Sequence, residues 1–162
     1  MSTVKPAAPA PAPRATPTAA PPGTTKSARD LTRVRFTIQT IDHKDTDLDT
    51  KLDMPSHMGT VVTDFEFTGG LEGSGRAAYV MLFLESGAAL DGQLVFTGKI
   101  DGRSGSVVFR VTGNCLASIN VRLKIIPESA TGELRDIHGD GWYSSDNPSS
   151  GRAEGELEIE YF

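Results

Sequence analysis

The stretch QLVFTGKIDGRSGSVVFRVTG, residues 93–113, constrains this chain more than any other. Leu94, Phe96 and Ile100 share one parity before Asp101-Gly102, and Val107, Phe109 and Val111 share another after it. An Asp-Gly pair between two alternating runs signals a hairpin. A type I′ turn needs positive φ at both central positions, which Asp and Gly tolerate.

The same period of two recurs along the chain. Val34, Phe36 and Ile38 alternate with Arg35 and Thr37; Val61, Phe65 and Phe67 alternate with Asp64 and Glu66. Residues 76–84, RAAYVMLFL, are apolar on both faces and read as the most enclosed strand. Ile119, Val121, Leu123 and Ile125 face away from Asn120, Arg122 and Lys124, and Pro127 ends that run because it has no N–H for a ladder. Leu157, Ile159 and Tyr161 alternate with Glu156, Glu158 and Glu160. Between these runs, residues 42–57 read as a polar, Asp-rich loop. Residues 86–92 read as a turn ending in a second Asp-Gly, and residues 132–143 as an irregular stretch anchored by Leu134, Ile137 and Trp142.

Seven or eight short strands and no convincing amphipathic helix define an all-β chain, either sandwich or barrel. Closure removes the exposed edges that such apolar strands would otherwise present. The first and last alternating strands are natural partners for it. The expectation is a small closed antiparallel β-barrel of about eight strands, with a Greek-key sandwich as the alternative.

Seven of the ten prolines precede Gly23, in a segment otherwise made mostly of Ala, Thr and Ser. Such a segment lacks the apolar bulk to offset its ordering entropy. Residues 1–28 are therefore expected to form a disordered tail, and residues 29–162 the barrel domain. Lys5, Arg14 and Lys26 give the tail +3, leaving −8 on the remainder of a chain whose net charge is −5. An acidic domain is poorly suited to nucleic acid or an anionic membrane surface, which require clustered Lys and Arg. No apolar run approaches the roughly 20 residues of a membrane-spanning helix, and no apolar signal region opens the chain. The single cysteine, Cys115, rules out an internal disulfide. These features together lead to the expectation of a cytoplasmic protein.

Three segments suggest a family: FTGGLEGSGRAAYVM (67–81), LDGQLVFTGKIDGRSGSVVFRVTG (90–113) and SATGELRDIHGDGWY (129–143). In this order they resemble a family of small bacterial proteins of unknown function. That family is marked by a Leu-Glu-Gly turn, an Asp-Gly-Arg-Ser-Gly-Ser hairpin, a Gly-Thr-Gly-Glu-Leu-like segment and a late glycine-rich step. The resemblance covers residues 31–162 and implies an antiparallel barrel like that of plant allene oxide cyclase. Related barrels include enzymes that cyclise a reactive, largely apolar substrate, with the interior acting chiefly as a mould. Positioning alone can supply several kcal/mol of a barrier, so no catalytic motif need be visible.

None is. The Asp45, Asp47, Asp49, Asp53 spacing resembles a calcium loop, but Thr50 and Ser56 stand where such a loop needs Gly and Glu. His43, His57 and His138 lack metal-motif spacing, Cys115 has no readable base, and the glycine clusters open no helix. No metal or cofactor is expected. Tyr79, beside small Ala77 on one parity of its run, is the best candidate for an interior hydroxyl. Phe96, Phe109 and Trp142 are core residues by default and pocket walls if the barrel is hollow. Tyr79, Phe96, Phe109 and Trp142 are thus the candidate substrate-binding residues. The expected partner is an apolar small molecule, isomerised or cyclised inside the barrel, with a homodimer left open. The alternative is a non-catalytic protein-interaction or ligand-carrier barrel.

Overall fold

Strict alternation gives every strand one apolar face, and strands that close on themselves direct all of those faces to one interior. The computed structural model of the chain describes residues 31–48 and 57–162. It contains β1 (Thr32–Asp47), β2 (His57–Gly69), β3 (Leu71–Leu84), β4 (Gly87–Ile100), β5 (Arg103–Cys115), β6 (Ile119–Ile125), β7 (Ile137–Ser145) and β8 (Arg152–Tyr161). These eight strands form a closed barrel in sequence order. Each pairs antiparallel with the next, and β1 returns to β8 with Val34 opposite Leu157. The meander excludes the Greek-key alternative. The expected tail, residues 1–28, lies outside the described residues, as do Asp49 and Asp53 of the acidic spacing.

The opening hairpin forms as read. Asp101 and Gly102 both take positive φ, 50° and 83°, as a type I′ turn requires. A Cβ at Gly102 would meet nothing within 4 Å, so Gly102→Val perturbs backbone conformation alone. It should lower stability by about 1–2 kcal/mol, read from the urea midpoint. An unchanged midpoint would contradict the positive-φ requirement.

Three expectations are corrected. The Asp-rich stretch does not loop out at Asp42. Instead β1 shifts register between Thr40 and Asp42 and continues to Asp47, paired with β2 as far as Gly59. Its residues 41–47 are exposed on both faces, so the acidic side chains stay solvated while the backbone is satisfied by the ladder. Asp91-Gly92 is not a turn; it lies inside β4, where a Cβ on Gly92 would strike the Ala78 carbonyl oxygen and the Tyr79 Cα on β3. That glycine admits a neighbouring backbone, a second reason for glycine in a strand. Finally, residues 76–84 are enclosed on one face only. Ala78, Val80 and Leu84 are exposed, because a single-walled barrel has solvent outside.

The interior is packed around an aromatic cluster. Phe67 meets Phe96 edge-on at 5.1 Å between centroids, and Phe36 lies 5.9 Å from Phe67. One end is sealed. The β6–β7 connection carries a short 3₁₀ turn, Gly132–Leu134, whose Leu134 is fully buried in the core. Polar ties hold this plug to β5. Ser104 N–H donates to the Glu133 carboxylate (2.9 Å), Thr131 N–H to the Ser106 carbonyl (2.9 Å), and the Ser106 and Thr131 hydroxyls lie 2.7 Å apart. Toward the opposite end, where β3 turns into β4 and β5 into β6, the inward-facing residues Met81, Phe83, Leu90, Cys115 and Ile119 are only half-buried. The barrel has a plugged floor and an opposite end, the mouth, where the described inward-facing residues are less buried.

Candidate functional site

Three polar side chains break the apolar lining on the mouth side of the floor. Thr63 shares the inward parity of Val61, Phe65 and Phe67 on β2 and is 4% exposed. Tyr79 follows Ala77 on the inward face of β3 and is 8% exposed. Tyr143 lies on the inward face of β7 with Ile137 and is 6% exposed. Thr63 and Tyr79 sit diagonally on paired strands, since Thr63 is opposite Ala77 and Tyr79 opposite Val61. Tyr143 stands between Val121 of β6 and Gly155 of β8.

Glycine makes the room. Tyr79 is opposite Gly92 on β4, and Tyr143 is opposite Gly155 on β8. A Cβ on Gly155 would stand 2.8 Å from the Tyr143 Cβ and 2.6 Å from Phe36 Cζ. Each interior tyrosine thus sits beside a residue with no side chain, a pairing that lets an aromatic ring cover the gap.

Burial governs the electrostatics. It pushes the Tyr143 phenol far above its usual range, and the neighbouring Tyr79 adds to the rise. Burial also raises Tyr79, with the Thr63 hydrogen bond opposing it. Both phenols therefore remain protonated at neutral pH and act as hydrogen-bond donors rather than bases. Thr63 is the one other buried polar side chain among the described residues, and none of the buried side chains carries a formal charge. Among the described residues no three His, Cys, Asp or Glu side chains cluster closely enough to hold a metal. The arrangement can orient a bound molecule by hydrogen bonds within an apolar wall, the common design of small-molecule sites.

The four residues singled out from sequence do not assemble. Tyr79 is in the hydroxyl group just described. Phe96 and Phe109 are 0% exposed and belong to the packed core. Trp142 is corrected outright: it is 47% exposed on the outer face, between Arg122 of β6 and Glu156 of β8. Its parity is opposite to that of Ile137 and Tyr143. Thr63 and Tyr143 were missed. The signal for Tyr143 lay in the odd positions 137, 139, 141 and 143, but glycines at two of them hid the alternation. His138 donates to or accepts nothing inside; its Nδ1 lies 2.9 Å from the Asp136 carbonyl and its ring packs on Phe162. Cys115 is free and half-buried. On the outer wall, shallow depressions lie over Glu72, Lys99 and Thr131 and over Asp64, Arg76 and Val95. In the second, Arg76 is clamped by both Asp64 oxygens at 2.7 and 3.0 Å.

Fold and lining together define a class: a small, closed, eight-stranded up-and-down barrel with an apolar interior and a few inward hydroxyls. Within that class the chain belongs to the family described as Protein of unknown function (DUF3224), whose model matches residues 33–158. It is similar in fold to the crystal structure of a protein with unknown function from that family, from Shewanella oneidensis MR-1. The TM-score is 0.65 and the identity 23%, over 82% of this chain and 99% of that one. No curated protein matches.

Proposed function

We propose that this protein encloses an apolar small molecule in the mouth half of its barrel, held by shape and oriented by the Thr63, Tyr79 and Tyr143 hydroxyls. The observation that carries this reading is that all three are buried on an interior otherwise lined by hydrocarbon. Buried hydroxyls are retained at a cost unless they find partners, and a ligand is such a partner. An eight-stranded barrel is wide enough to be filled by side chains or to hold one small ligand. Here the floor half is filled, and the described inward-facing residues of the mouth half are less buried. In its catalytic form the barrel templates isomerisation or cyclisation, in keeping with the allene oxide cyclase-like architecture that the sequence motifs imply. The work is then positioning, with one polarising hydrogen bond from a tyrosine.

A second reading, a non-catalytic interaction barrel, is favoured by the exposed Trp142 and by Val62, Val80 and Val95 on the outer wall. Native mass spectrometry after incubation with an organic-solvent extract of the producing cells separates the two. An adduct of the wild-type protein should disappear in Leu90→Trp, which fills the mouth from the inward face of β4. If wild type carries no small-molecule adduct, or Leu90→Trp retains it, the enclosed-ligand reading fails. A protein complex dependent on Trp142 would then replace it.

A further inference from the structure

We infer that the enclosed ligand is electrically neutral and presents a hydrogen-bond acceptor of carbonyl type to the Tyr143 hydroxyl. This rests on the enclosed-ligand reading and adds the chemistry of the ligand to it. The first observation is the state of Tyr143 itself. The residue is more than nine-tenths buried, yet among the described residues its hydroxyl makes no hydrogen bond. Nor is that oxygen among the sealed, unpartnered side-chain atoms, a group that includes the Tyr161 hydroxyl. It therefore borders accessible space.

The second observation is that Tyr143 stands between Val121 of β6 and Gly155 of β8, neither of which offers its hydroxyl a side-chain partner. Because that donor faces space a small molecule can reach, an acceptor on a ligand can take the place of water there. The third is the absence of compensation for charge. No cationic or anionic side chain is buried among the described residues. A carboxylate, phosphate or ammonium drawn to this depth would lose its hydration without gaining a counter-charge, a penalty of several kcal/mol. Protonated phenols donate to a neutral carbonyl oxygen at no such penalty. An acceptor on an otherwise hydrocarbon body fits both the wall and the donor.

The test uses the full chain and four probes of equal chain length: 2-decanone, decane, decanoate and decylamine, with binding read by thermal shift and titration at pH 7. The ketone should bind tightest, and the two ions at least tenfold more weakly. Tyr143→Phe keeps the ring and should weaken the ketone about tenfold, the worth of one hydrogen bond, while leaving decane unchanged. A second readout is the infrared carbonyl stretch of bound 2-decanone. It should lie lower in wild type than in Tyr143→Phe. Decanoate binding as well as the ketone, or a ketone affinity and carbonyl stretch indifferent to Tyr143→Phe, would overturn the inference while leaving an enclosed ligand standing. Failure of all four probes, with no adduct from the extract, would overturn both.

Discussion

Phe96→Ala is expected to lower the unfolding free energy by about 3–5 kcal/mol, the range for deleting a buried aromatic ring. The ring is 0% exposed and meets Phe67 edge-on, with planes 88° apart, a geometry that adds to simple burial. Its cross-strand neighbours are Gly75 on β3 and Val107 on β5. Neither can swing in to fill the void, since Gly75 has no side chain and Val107 is short and stiff at χ1. Phe67 and Leu94 already crowd the Gly75 backbone; a Cβ there would lie 2.8 and 2.9 Å from them. The cavity term should therefore be near its full value. Urea denaturation followed by circular dichroism measures it. A loss below about 1 kcal/mol would show that the floor half of the barrel is loosely packed and that its division from the mouth is wrong.

Gly155→Val should destabilise by about 3 kcal/mol or more, at the upper end for overpacking. The added carbon would strike the Trp142 carbonyl oxygen on β7 and press on Phe36 and Tyr143. Backbone cannot yield as a flexible side chain can, so the strain passes to the β7–β8 pairing and to the ring of Tyr143. This makes the substitution a probe of both fold and site. Compared with Gly102→Val, where the added side chain meets only solvent, it should cost clearly more. It should also abolish ligand binding under conditions where the folded fraction is still high. Equal losses at the two glycines would mean that the close approach at Gly155 carries no energetic weight.

Much of the architecture was legible because half of it is chemistry of the nearest neighbours in sequence. The alternation in residues 93–113 with Asp101-Gly102 between them, and the matching runs around Phe36, Phe67, Leu123 and Ile159, are enough to place most strands and their inward faces. The same reading failed at Asp91-Gly92 and along the Asp-rich stretch. There a local turn signal competes with pairing to a strand, and only the partner decides. Gly92 follows Asp in sequence, yet its reason for being glycine is Tyr79 on the next strand. Ala78, Val80 and Leu84 illustrate the opposite error, since an apolar side chain is no proof of burial when the wall is one layer thick.

The site shows the same division. Tyr79 could be picked out because its strand is unbroken and its parity plain. Thr63 looked like one polar residue in a strand of mixed character, and Tyr143 was masked by the glycines at 139 and 141, so Trp142 beside it took its place. By itself, then, the sequence determined the alternating strands and the Asp101-Gly102 hairpin, because period and turn chemistry act within a few residues. Which end is plugged, that Trp142 faces water, and that Thr63, Tyr79 and Tyr143 all face the interior were decided by the tertiary structure alone. Those facts depend on the register between strands remote in sequence, and no local pattern carries it.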